Sequence, residues 1–235
     1  MLENRDVHHF DRLWEKKDKD VLASAYHPGS NLRVDYCVRH LPAGNRFLDI
    51  GCGTGVLAVQ LKDRYDEVYG VDIARLPVKI AVKNQVRAVQ VNLNHEILPY
   101  PDNYFDTITI LSTLQYFYDL DLVIKEVYRV LTPGGLLVMT VPNMRAWWRL
   151  VKLVISGVFP KVSKDSVGYD GGTLHYFCYR DVKDILSGYK MQACFSGGIM
   201  CIPGGIQRLP NDGVMGWLKR EFFSAEFVIG ARKSI

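Results

Sequence analysis

The chain has 235 residues, 48% hydrophobic and 23% charged, which suits one globular domain with a large core, with or without a small lid. A formal net charge of +4 is too small to point to nucleic acid. The five cysteines (Cys37, Cys52, Cys178, Cys194, Cys201) are scattered and form no C-x-x-C pair, which argues against a zinc site and against a disulfide framework.

The first ten residues are polar and carry no signal-peptide apolar core, so a reduced, cytoplasmic protein is the expectation. Phe10, Leu13 and Trp14, then Val21 and Leu22, space as a short amphipathic helix. Tyr26-His27-Pro28-Gly29-Ser30 reads as a turn. Leu32, Val34, Tyr36, Cys37, Val38 and Leu41 support a helix ending at Pro42. Phe47, Leu48 and Ile50 then form a buried strand. Gly51, Gly53 and Gly55 follow at alternate positions, and Val56, Leu57, Ala58, Val59 and Leu61 resume helical spacing. Strand, glycine turn and helix bring free backbone N–H groups and the positive helix end to one point, where a chain without Cβ lets a ligand approach. A dinucleotide fingerprint would place its third glycine where Val56 stands, and a P-loop would follow its glycines with Lys-Ser or Lys-Thr. Neither pattern is met. Asp49, two residues before the first glycine, suits a ligand with an ammonium group better than a pyrophosphate.

The run Asp49-Ile50-Gly51-Cys52-Gly53-Thr54-Gly55 resembles the first motif, D-x-G-x-G-x-G, of the class I S-adenosylmethionine (SAM) methyltransferases. The resemblance implies that Asp49, Gly51, Cys52, Gly53 and Gly55 cradle SAM. It also makes Tyr26, His27 and Arg33 candidates for lining the pocket, although Tyr26 and His27 could equally do no more than cap a turn. Next, Glu67-Val68-Tyr69-Gly70-Val71-Asp72 reads as a strand ending in an acid. Asp72 lies about 20 residues beyond the glycine turn, where an acid can accept hydrogen bonds from both ribose hydroxyls. Ile73 would flank the adenine. Residues 88–93 read as a third strand, with Asn92 and Leu93 at the adenine edge by the same resemblance and Asn94 as an alternative.

The segment from Leu98 to Asp106 leads into Thr107-Ile108-Thr109-Ile110-Leu111. It resembles the L-P-F-x-D-x-x-F-D approach to the fourth strand in the type 11 branch of the family. The catalytic mouth should open after this strand. Leu111 and Gln115 are expected beside the methionine part of SAM. Tyr116 stands where many relatives have a histidine, which weakens a general-base reading at that spot. Leu122, Ile124, Val127, Tyr128, Val130 and Leu131 mark an amphipathic helix broken at Thr132-Pro133-Gly134-Gly135, and Leu136–Val141 is a fifth strand.

Residues 144–172 depart from a minimal domain. Trp147, Trp148 and many aliphatic residues alternate with Arg145, Arg149, Lys152 and Lys161, in a run too short to cross a bilayer. Three readings compete: a helical lid, a dimer or partner-docking surface, and a peripheral membrane helix. His175 follows in a glycine-introduced loop whose run His175-Tyr176-Phe177-Cys178-Tyr179-Arg180-Asp181 resembles the MetW type of proteins. It is either the general base or a tie between lid and core. A helix over about 180–186 and two strands over 190–202 and 222–231 complete the chain.

The resemblance is close over about 45–143 and looser elsewhere. It implies an α/β, Rossmann-like class I methyltransferase fold in a single domain over 1–235. The expected parts are an N-terminal helical cap (1–45), a seven-stranded, mostly parallel sheet with its last strand antiparallel, and a helical lid (144–176). The implied activity is SAM-dependent methylation of a small-molecule acceptor, first an oxygen of a metabolite or sugar, with S-adenosyl-L-homocysteine as product. The alternative is a MetW-like accessory that binds SAM and acts through a partner enzyme. His175, Tyr116 and Tyr26 are the catalytic candidates. No metal and no nucleic acid are expected, and a homodimer is left open.

Overall fold

The computed structural model describes residues 3–16, 31–163, 169–202 and 212–234. At its centre lie three strands: β1 (Gly44–Ile50), β4 (Phe105–Leu111) and β5 (Leu131–Pro142). Their side chains are buried on both faces, as parallel strands covered by helices require. Alternation divides them between two cores. Leu48, Ile50, Ile108, Ile110, Leu137 and Met139 face one, while Phe47, Leu136 and Val138 face the other.

Outside β1 lie β2 (Tyr65–Asp72) and β3 (Arg87–Gln90), both parallel to it. Outside β5 lie β6 (Met191–Cys201) and β7 (Ser224–Lys233). The sheet order is β3-β2-β1-β4-β5-β7-β6, and β7 runs antiparallel to both of its neighbours. The chain reverses its direction of travel across the sheet between β1 and β4. That switch point opens a crevice at the C-terminal strand ends.

One face of the sheet is covered by α2 (Leu32–His40), α3 (Val56–Gln60) and α4 (Arg75–Lys83). The other is covered by α5 (Leu120–Val130) and α7 (Tyr179–Gly188). α1 (Glu3–Glu15) packs near α4 and lays Trp14 against the glycine turn. α6 (Trp147–Ser156) follows β5, and α8 (Gly213–Leu218) precedes β7.

Several boundaries differ from the sequence reading. The third strand ends at Gln90, so Val91, Asn92 and Leu93 lie beyond it. The fifth strand begins at Leu131 rather than Leu136. Leu131 pairs with Phe105 before a register shift carries the chain through the Pro133–Gly135 stretch that the sequence reading took as a break. Val21, Leu22 and the 26–30 turn lie outside the described residues.

Candidate active site

The end of β1 is held in place by the start of the crevice itself. Gly51 and Cys52 donate their N–H groups to the Val71 carbonyl at 2.8 and 3.0 Å, and Gly53 donates to Asp72 Oδ2 at 2.9 Å. The turn N–H groups expected to be free for a ligand are therefore largely used to lock β1 to β2. Gly51 has φ +76, and a Cβ there would stand 2.3 Å from Thr113 Oγ1, so only glycine fits. A Cβ at Gly53 would meet the Trp14 ring at 3.1 Å, so the N-terminal helix closes directly onto the turn.

A cavity of about 720 Å³ opens at this point, within the range of small-ligand sites. Each parallel strand contributes its C-terminal end. Asp49 through Thr54 come from β1 and its turn, Asp72 and Ile73 from β2, Asn92 and Leu93 from β3, and Leu111, Ser112, Gln115 and Tyr116 from β4. Of the predicted cofactor residues, only Gly55 is absent from the lining. It has φ +80, and a Cβ there would meet Val86 and Ala81, so it turns the chain and packs on α4.

Electrostatics differ along the cavity. Asp72 accepts from the backbone N–H groups of Gly53 and Ala74, both at 2.9 Å. Asp49 is buried and accepts from Thr109 Oγ1 at 2.6 Å. Burial pushes its pKa up to about 7, against the Thr109 bond and with help from the nearby Asp72 charge. Burial likewise raises the Cys52 thiol, which keeps it protonated. Asn92 Oδ1 accepts from the Asn94 N–H at 3.1 Å. Gln115 is 3% exposed and donates from Nε2 to the Ser112 carbonyl at 2.8 Å, while its Oε1 has no partner. Ser112 holds φ +51, a strained conformation for a residue with a side chain, at the mouth of the crevice.

The far wall joins Arg33 to Glu226 and Arg149, which the sequence did not single out as site residues. Glu226 accepts a two-pronged bond from Arg33, Nε and Nη2 each at 2.6 Å, and a third bond from Ser112 Oγ at 2.8 Å. β7 is antiparallel, so its first residues lie at the edge where the parallel strands end. Glu226 pairs there with Pro142. Arg149 of α6 is 9% exposed and donates from Nη1 to the Asn143 and Ala225 carbonyls at 2.6 and 2.9 Å. Arg33 was a candidate for lining the pocket, and it does line it. Glu226 carried no local signal at all.

The catalytic candidates separate. Tyr116 lines the cavity and meets Phe10 edge-on, with ring centroids 5.4 Å apart. Tyr26 lies outside the described residues. His175 is not among the lining residues. Its backbone N–H donates to the Gln115 carbonyl at 3.1 Å, its ring stacks on Phe177, and its buried Nε2 has no partner. Among the described residues, no three His, Cys, Asp or Glu side chains group as a metal site would require.

Sheet order and cavity position together are those of the Rossmann-like class I methyltransferase fold. Residues 48–139 match the family described as a methyltransferase domain. A demethylmenaquinone methyltransferase of Thermus thermophilus is 37% identical over 131 residues, covering 51% of this chain and 59% of that protein. A ubiquinone biosynthesis O-methyltransferase of Chromobacterium violaceum is 27% identical over 161 residues, 65% of this chain and 69% of that one. This chain spans about half the length of several curated relatives it matches. In fold it is similar to a Thermotoga maritima SAM-dependent methyltransferase described as a possible histamine N-methyltransferase. The TM-score is 0.67 at 22% identity, over 97% of this chain and 99% of the other.

Proposed function

We propose that this cavity holds SAM and that the chain methylates a small-molecule acceptor, with an oxygen of a metabolite as first choice. The observation that carries the reading is Asp72, a carboxylate at the end of β2, braced by two backbone N–H groups and exposed to the same cavity as the glycine turn. In this reading Asp72 receives both ribose hydroxyls. Ile73, Asn92 and Leu93 border the adenine. Asp49 and the unpartnered Gln115 Oε1 take the methionine ammonium. SAM held there would supply a methyl activated by its sulfonium, with S-adenosyl-L-homocysteine as the leaving group. The chain's own contribution is positioning.

The acceptor then lies toward Tyr116, Ser112 and the Arg33–Glu226 pair. Tyr116 offers a ring to hold it, and Glu226 is the carboxylate on that side. His175 is assigned a positioning role, because it reaches the cavity only through the Gln115 backbone. The lid role expected for 144–176 is kept for its inner side, where Arg149, Val162 and Ser163 line the wall. The quinone-type names of the relatives support a small acceptor over a macromolecule.

The test is incubation of the protein with methyl-labelled SAM and a metabolite extract. Label in a small molecule supports the reading, and label in protein or RNA overturns the acceptor class. Tight SAM binding with no label moved anywhere would leave the accessory role in its place.

A further inference from the structure

Helix α6 is both apolar and exposed. From Leu150 to Phe159 every residue is exposed, and all but Lys152, Ser156 and Gly157 are large and apolar. Val154 and Ile155 are 82% and 80% exposed. A surface helix of a globular domain turns its apolar stripe inward. Here the residue that α6 buries is Arg149, against the cavity, and the aliphatic side chains face out.

The patch continues beyond the helix. Trp147, 41% exposed, donates its ring N–H to the Ile202 carbonyl at 3.1 Å. Next to it Arg145 lies 4.7 Å over the Phe222 ring, which packs edge-on against Trp217. Trp217 belongs to α8, whose Val214 and Met215 are 74% and 50% exposed. Arg145 and the Phe222 and Trp217 rings thus link the exposed apolar residues of α6 to those of α8, a cluster rather than scattered single residues.

Charge and length choose the occupant. No Asp or Glu occurs between residues 144 and 164, whereas five Lys and Arg do. Arg145 is paired with Glu221 and Arg149 faces the cavity, which leaves Lys152 and Lys161 among the described residues to act at the face. A two-fold dimer would bury this same patch on both copies, bringing the Lys152 and Lys161 charges of each into one interface with no acid in residues 144–164 to pair them. A ten-residue helix is about 15 Å long, half of a ~30 Å hydrocarbon core, so it can lie on a bilayer but not span one. An aliphatic face with tryptophans at its edge and lysines beside it matches an anionic lipid surface.

We propose that α6 and α8 dock the protein on anionic membranes, with α6 lying in the interface plane. This docking does not depend on methyl transfer. It does place the Arg149 wall of the cavity directly behind the lipid contact.

The experiment is co-sedimentation of the full chain with phosphatidylcholine vesicles, with and without added phosphatidylserine. The chain should sediment with the anionic vesicles, and added salt should weaken the binding. The pair Val154→Asp with Ile155→Asp should reduce partitioning by about tenfold or more. Lys152→Glu should reduce it by roughly fivefold to tenfold. Thermal unfolding and S-adenosyl-L-homocysteine affinity should be unchanged in both, because these side chains are exposed and outside the cavity. Failure of the wild-type chain to bind anionic vesicles would overturn the proposal, as would equal binding by the double variant. So would a lipid-free dimer that the double variant dissolves, since a second copy would then be the occupant.

Discussion

Replacing Asp72 by alanine removes two kinds of interaction at once, and the structure lets them be counted separately. The carboxylate accepts the Gly53 and Ala74 N–H groups, each at 2.9 Å. Hydrogen bonds to a charged group contribute about 1.5–3 kcal/mol each in favourable settings. Asp72 is partly open to the cavity, so solvent screening brings the expected loss of folding stability to about 1–3 kcal/mol for the two together. Two further bonds, to the ribose hydroxyls, belong to the proposed SAM complex. Their loss should weaken cofactor binding by about 2–3 kcal/mol, or roughly 30- to 150-fold in Kd. Titration calorimetry with S-adenosyl-L-homocysteine reads the second quantity, and urea unfolding without ligand reads the first. Both should fall. A folded variant whose ligand affinity stays within twofold of wild type would refute the ribose assignment, whatever happened to its stability.

Asp49 carries a pH signature. Its folded pKa, near 7, lies above the unfolded value of about 4, so the folded chain keeps a proton that the unfolded chain has lost. Its contribution to stability is full below pH 4 and is lost as pH rises to about 7. A ligand ammonium beside it would reverse the preference, so binding should release a proton below pH 7 and tighten as pH rises from 6 to 8. Calorimetry in buffers of different ionisation enthalpy measures this, and Asp49→Asn should flatten the dependence. The Arg33–Glu226 fork should show a coupling of about 1–2 kcal/mol in a double-mutant cycle of Arg33→Met and Glu226→Gln followed by urea unfolding. The figure is kept low because the Arg33 side chain is 32% exposed. His175→Ala should mainly raise the acceptor KM, with turnover within about tenfold of wild type and His175→Gln recovering much of the loss. A 10²–10⁴-fold fall in turnover at intact SAM affinity would instead make His175 a base.

The parts of the site that were legible in the sequence are those whose signal is local. A strand, an alternate-glycine turn and a helix are contiguous from Phe47 to Leu61, and their backbone geometry follows from which residues lack a Cβ. Asp72, Ile73, Asn92, Leu93, Leu111 and Gln115 could be placed because each stands at or just past the end of a recognisable strand. A parallel sheet brings all such ends to one edge. Nothing local announces Glu226. It reaches the same edge only because β7 inserts antiparallel between β5 and β6, which puts the beginning of that strand where its neighbours finish. Arg33 then meets it across 193 residues of chain.

The same distinction separates His175 from Tyr116. Residue type made both candidates, but only tertiary packing decides that Tyr116 opens on the cavity while His175 lies behind it, tied by its backbone N–H to the Gln115 carbonyl. Composition showed that 144–164 is apolar and basic without acids. It could not show that Arg149 turns inward while the aliphatic residues turn out. Ordinary amphipathic patterning predicts the opposite orientation. α6 is held instead by the bonds of Arg149 to the Asn143 and Ala225 carbonyls at the strand ends.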